Sequence, residues 1–106
     1  MTLDKITFFE RFEADILSGK KTMTIRDQSE SDYIPGSVVQ VSTHEDDRWF
    51  CALKILSVTP IRFQELSEFH AVQENMTLEQ LQQVIQEIYP GIEQLYVIRY
   101  ELAHTA

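Results

Sequence analysis

Apolar positions along the 106-residue chain recur with two different periods, separated by polar breaks. Phe8, Phe12 and Ile16 repeat every four residues, and Thr7 and Glu10 stand three apart in the spacing of a capping box, so the pattern predicts a helix from Phe8 to Leu17. Gly19 stands where a left-handed cap ends such a helix, and the β-branched run from Thr22 to Arg26 predicts a strand directly after it. The acidic DQSESD stretch from Asp27 to Asp32 reads as an exposed loop, followed by a Pro35-Gly36 turn. Val38 to Val41 and Trp49 to Val58 flank Glu45-Asp46-Asp47, which predicts a hairpin with a solvated acidic tip. Phe63, Leu66 and Phe69 or His70 have helical spacing and predict a short helix from Phe63 to Val72. Thr77 caps a second helix from Leu78 to Tyr89, whose core stripe is Leu78, Leu81, Val84 or Ile85, and Ile88, and Pro90-Gly91 ends it. The strand from Leu95 to Leu102 carries apolar residues on both faces, Leu95 and Val97 against Tyr96, Ile98 and Tyr100, as a strand covered on both sides does. The last four residues fall outside any element.

This irregular order of helices and strands predicts an α+β fold, a small curved or barrel-like sheet flanked by helices, as one domain over residues 1–106. Hydrophobic residues make up 43% of the chain and charged residues 25%, which supports a packed core and argues against disorder. No apolar run approaches the roughly 18 residues of a membrane-spanning helix, and Asp4, Lys5 and Glu10 occupy the stretch where a signal peptide is apolar. A soluble, cytoplasmic protein without membrane contact is expected. The formal charge of −8 opposes stable binding to an RNA backbone. Cys51 is the single cysteine and reads as a buried thiol. His44, His70 and His104 share no metal-ligand spacing with one another or with Cys51, and Gly19, Gly36 and Gly91 build no phosphate-binding loop, so neither a metal nor a nucleotide cofactor is indicated.

Candidate chemistry concentrates in GKKTMTIR, Gly19 to Arg26, where three cations and two hydroxyls gather at a turn entering a strand of an otherwise acidic chain. On a regular strand Thr22, Thr24 and Arg26 share one face while Met23 and Ile25 point into the core, so Thr24 and Arg26 can line one pocket. A threonine hydroxyl becomes a nucleophile when a base takes its proton, and a lysine acts as that base when burial or neighbouring cations make its neutral form accessible. Lys20 and Arg26 supply such pressure on Lys21. Glu74 lies in the polar break between the two helices and is expected at the surface unless a partner holds it.

Gly19, Lys21, Thr24 and Arg26 fill the G-x-K-x-x-[ET]-x-R signature of ASCH domains, which the chain resembles over nearly its whole length: ITFFERF at Ile6 to Phe12, QENMT at Gln73 to Thr77, IYPG at Ile88 to Gly91 and YVI at Tyr96 to Ile98. Threonine at position 24, where most ASCH proteins carry glutamate, resembles the short bacterial branch that hydrolyses N4-acetylcytidine. The resemblance implies a small PUA-like barrel flanked by helices and a cofactor-free amidohydrolase that releases cytidine and acetate from this small nucleoside. It implies Lys21 as base, Thr24 as nucleophile and Glu74 as proton donor. Arg26 or the backbone N–H groups of the Gly19 turn are candidate oxyanion donors, and Arg26 is alternatively a salt-bridge partner of Glu74 or of the Asp27 loop. The other reading the resemblance admits is a non-catalytic ASCH or PUA-like module binding modified RNA, which the acidity opposes.

Overall fold

Ile6 and Phe8 are buried and Lys5 is exposed, a two-residue alternation that makes the start of the chain a strand rather than a helix. The computed structural model describes residues 4–74 and 76–103. In it β1 runs Lys5–Phe8, a 3-10 turn follows at Glu10–Phe12, and only Glu13–Leu17 is helical (α1). The predicted helix from Phe8 is therefore corrected. β1 pairs in parallel with β3 (Val38–Thr43), Ile6 opposite Val41, and this pairing satisfies backbone groups that the capping box would have used. The Glu10 amide donates instead to the Glu45 carboxylate at 2.9 and 3.1 Å.

The remaining strands are β2 (Met23–Arg26), β4 (Trp49–Arg62) and β5 (Gln94–Leu102). The sheet order is β1-β3-β4-β5-β2, antiparallel except at β1–β3. The expected α+β class holds, but the sheet stays open and is not the closed barrel the resemblance implied. β1 pairs only with β3 and β2 only with β5. A side chain spans the two edge strands: Arg26 Nη2 of β2 donates to the Thr7 carbonyl of β1 at 2.7 Å.

The β3–β4 hairpin forms as the alternation predicts, Val39 opposite Leu53. Its acidic tip is more engaged than a solvated turn: besides Glu45, Asp46 accepts from Thr43 Oγ1 and Asp47 from Lys5 Nζ at 2.6 Å. The predicted helix from Phe63 to Val72 divides into a 3-10 turn at Phe63–Glu65 and α2 at Glu68–Gln73, which leaves Leu66 buried and Phe69 exposed. α3 spans Leu78–Ile88, and at its start Thr77 Oγ1 accepts from the Gln80 amide while Gln80 Oε1 accepts from the Thr77 amide.

Two apolar clusters form the core. One packs α1 and the preceding turn on the sheet through Phe12, Ile16, Val39, Leu53 and Ile98; the other packs α2 and α3 through Ala71, Leu81, Ile85 and Leu95. Met76 touches both. Cys51 is buried in the first cluster, and burial pushes its thiol up to about 11. Both faces of β5 are partly covered, as the pattern of that strand predicts: Leu95 and Val97 are buried on one and Ile98 and Tyr100 on the other, while Arg99 and Glu101 are exposed. Of the last four residues, 104–106 lie outside the described residues. Among the described residues no helix is long and apolar enough to cross a membrane.

Leu53 is fully buried on β4, which pairs with β3 on one side and β5 on the other. Leu53→Ala is expected to cost about 2–5 kcal/mol in urea denaturation, and a loss below about 1 kcal/mol would mean that the sheet core collapses around the change.

Candidate active site

Gly19 closes α1 with φ +81, a conformation that favours glycine, and its amide donates to Ile16 O at 3.2 Å. The Lys21 amide donates to Asp15 O at 3.0 Å. These two amides are spent on the end of the helix, which removes them as oxyanion donors. The tight turn also sends the Lys21 side chain inward, where 1% of it remains exposed. Its ammonium lies 2.8 Å from Glu74 Oε1 and 4.9 Å from the centroid of the Phe12 ring. Burial draws the Lys21 pKa below its ordinary 10.5; Glu74 opposes this, while Arg26 adds to it.

Glu74 is therefore not at the surface: its side chain is 11% exposed, and Lys21 is the partner that holds it. It sits at the end of α2, where its amide donates to His70 O and Ala71 O. The preceding residue fixes that end in place, because Gln73 Oε1 accepts from the Thr22 amide at 2.7 Å and from Thr22 Oγ1 at 3.2 Å. The start of β2 and the end of α2 are thus joined one residue away from Lys21 on one side and from Glu74 on the other.

Thr24 is buried on β2, and its Oγ1 accepts from Arg26 Nε at 3.0 Å. That bond leaves the hydroxyl proton free to be donated elsewhere and places a cation against the oxygen. Arg26 is held by Glu30 Oε1 at 3.0 Å through Nη1 and by Thr7 O through Nη2, and its guanidinium lies 4.9 Å from the centroid of Phe8. Its carboxylate partner is Glu30, within the Asp27–Asp32 loop, so of the two salt-bridge partners weighed for it the loop is the one found and Glu74 is not. Three of its five N–H donors are occupied, and two remain for a ligand oxygen.

Thr24, Arg26 and Glu74 line a cavity of about 310 Å³ between the edge strands and α3. Phe8, Phe9 and Phe12 contribute one wall; Ile85, Ile88 and Tyr89 contribute another. Ile88 is half exposed despite its place in the predicted core stripe, and this cavity wall is where it serves. Lys21 stands behind Glu74. The structure thus groups all four sequence-predicted site residues. Sequence reasoning missed Glu30, Gln73 and the aromatic faces of Phe8 and Phe12. Glu30 had a signal in its spacing of four from Arg26, and Gln73 had one in its adjacency to Glu74.

The family profile described as ASCH domain matches residues 4–98. The chain belongs to the ASCH domain family. This ASCH chain is 73% identical over 97 residues to a Vibrio vulnificus protein named N(4)-acetylcytidine amidohydrolase, covering 92% of this chain and 93% of that one. It is 62% identical over 102 residues to a protein of the same name from Shewanella baltica, covering 96% and 97%. Among solved structures, the ASCH domain from Lactobacillus crispatus shares the fold at a TM-score of 0.73 and 15% identity, over 93% of this chain and 79% of that one.

The Lys21–Glu74 pair has a signed consequence for stability. With Lys21 drawn below 10.5 in the folded ASCH domain, the unfolded chain binds a proton that the native state lacks between the lowered value and 10.5, and this group makes stability rise with pH across that window. Glu74→Gln removes the attraction that opposes the shift. It is expected to cost roughly 3–5 kcal/mol at neutral pH, with a deficit that narrows as Lys21 loses its proton. Urea midpoints of both proteins across a pH series measure this; a deficit independent of pH would show that Lys21 stays charged in the variant.

Proposed function

We propose that this chain is a cytoplasmic amidohydrolase that converts the nucleoside N4-acetylcytidine and water to cytidine and acetate, with Thr24 as nucleophile, Lys21 as base and Glu74 as proton donor. The relatives' names supply the substrate. The observation that carries the roles is the buried Lys21–Glu74 pair, 2.8 Å apart, behind a cavity that Thr24 also lines.

Base and acid must be competent at the same moment, and a buried pair sharing one proton meets that demand. With the proton on Glu74, Lys21 is a free amine and Glu74 a neutral acid, while the total charge equals that of the ion pair. Low polarity around Lys21 favours this neutral arrangement. Lys21 then takes the Thr24 hydroxyl proton as Oγ1 forms a bond to the acetyl carbon, and the carbonyl π electrons move to oxygen. Arg26, with two donors unspent, faces the developing charge. When the tetrahedral intermediate collapses, the C–N4 bond breaks and its electrons spread into the cytosine ring toward N3. Glu74 delivers a proton to this leaving group, and Lys21 holds the one it took from Thr24. Water then attacks acetyl-Thr24 and gives its proton to the Glu74 carboxylate, Lys21 returns its proton to Thr24 Oγ1 as the acyl C–O bond breaks, and acetic acid leaves and ionises to acetate, which restores the Lys21 amine and the neutral Glu74 carboxyl.

Purified protein incubated with N4-acetylcytidine in the presence of a chelator is expected to release cytidine, followed by chromatography. Thr24→Ala should lower kcat/KM by about 10³-fold or more, with an unchanged urea midpoint. Acetylation of the peptide carrying Thr24, trapped by acid quench, is the expected intermediate. Full activity in Thr24→Ala would overturn the nucleophile.

A further inference from the structure

The acidic stretch that leaves β2 is fixed at both ends. At its start the Asp27 carboxylate accepts from the Ser29 amide at 3.1 Å and from Ser29 Oγ, and the Glu30 amide donates to the Asp27 carbonyl at 3.1 Å, which closes a 3-10 turn at Gln28–Glu30. Just past its end, Tyr33 is buried and its hydroxyl donates to the Lys5 carbonyl of β1 at 2.7 Å. The segment therefore links one edge strand to the other. Its turn brings Glu30 back over the end of β2, where the side chain lines the cavity and is 33% exposed.

What Glu30 holds there is the orientation of Arg26. Nη1 of the guanidinium donates to Glu30 Oε1 at 3.0 Å, Nη2 to the Thr7 carbonyl at 2.7 Å, and Nε to Thr24 Oγ1 at 3.0 Å. The group is planar and rigid, so two corners held by acceptors on different elements fix where the third points. Held at Nη2 alone, the fork pivots about that bond and the freed Nη1 competes for the same oxygen atoms. A threonine hydroxyl has one proton and two lone pairs, and occupying a lone pair with the Nε–H restricts the directions left to the proton. A nucleophile depends on that direction, because a base takes the proton as attack begins.

We propose that Glu30 is a positioning residue for the reaction: by holding Arg26 at Nη1 it keeps the Nε–H on Thr24 Oγ1, and so sets the direction in which the nucleophile gives up its proton. This rests on the catalytic reading above. An ion pair with a carboxylate as open as Glu30 contributes little to folding, which leaves orientation as its larger consequence.

Glu30→Ala removes the acceptor, whereas Glu30→Gln keeps an oxygen at the same reach. Both are expected to have urea midpoints close to that of the parent protein. On N4-acetylcytidine, Glu30→Ala should lower kcat about tenfold or more with a smaller change in KM, and Glu30→Gln should recover most of the loss. Exchange of the Arg26 Nε–H with water, followed by NMR, should quicken several-fold in Glu30→Ala and stay slow in Glu30→Gln. A loss confined to KM, or an Arg26 exchange rate that does not change in Glu30→Ala, would overturn the proposal. So would a lowered urea midpoint with unchanged kcat, which would make Glu30 structural. If the parent protein itself does not turn over N4-acetylcytidine, the reaction assignment fails, and the Arg26 exchange rate still decides the contact: equal rates in the parent and in Glu30→Ala refute the hold of Glu30 on Arg26. If the parent is active and kcat survives Glu30→Ala, Glu30 is refuted and the assignment stands.

Discussion

A lysine ammonium inside a core of this size has to be answered by a carboxylate, and the Lys21–Glu74 pair is the constraint around which the rest of the domain is arranged. Removing either ion from water costs several kcal/mol after relaxation, and attraction between them repays this only when the geometry is held. The geometry here is held from both ends. The Gly19 turn fixes where Lys21 enters, and the bond from Thr22 to Gln73 fixes where α2 delivers Glu74. The faces of Phe12 and Phe8 offer the ammonium further electrostatic support. A well-packed apolar pair of similar volume would serve folding at least as well, so the ion pair is better explained by what a displaced lysine pKa makes possible than by stability.

The open sheet follows from the same arrangement. Had β1 and β2 closed a barrel through backbone hydrogen bonds, the space between them would be filled by main chain. Instead both edge strands are four residues long, and Arg26 reaches across to Thr7 with its guanidinium. Short edges limit the unpaired backbone available to other chains. The side-chain bridge keeps the edges in register while leaving room for the cavity beside them. Arg26 does two jobs with one planar group, since the donors that bridge the edges also orient the donor on Thr24 Oγ1.

Elements whose pattern is long and self-consistent were legible in the sequence. α3 combines a stripe with a cap, the hairpin has two alternating runs around an acidic turn, and β5 has two apolar faces. The N-terminal strand was not legible. Four residues carry too little alternation to compete with Phe8, Phe12 and Ile16 at helical spacing, and its pairing with β3, 35 residues away in register, decides the matter (Ile6 with Val41). The site divides in the same way. Lys21, Thr24 and Arg26 are local and their shared segment announces them, whereas Glu74 looks like an ordinary loop carboxylate until α2 packs its end against β2.

The charge around the cavity is arranged differently from the charge of the chain as a whole. The net charge of −8 belongs to the chain as a whole. Around the cavity Lys21 is matched by Glu74 and Arg26 by Glu30, while Arg11 lines it over the rings of Phe9 and Phe12. An anion that took Lys21 from Glu74 would leave that carboxylate buried without its cation, which is costly. A neutral ligand has no such penalty: it needs hydrogen bonds, which Thr24, Glu74 and the two free Arg26 donors can provide, and apolar walls, which Phe8, Phe12 and Ile85 provide. The contacts that pair Lys21 with Glu74 and Arg26 with Glu30 thus also fix which hydrogen-bonding groups this end of the cavity offers a neutral ligand.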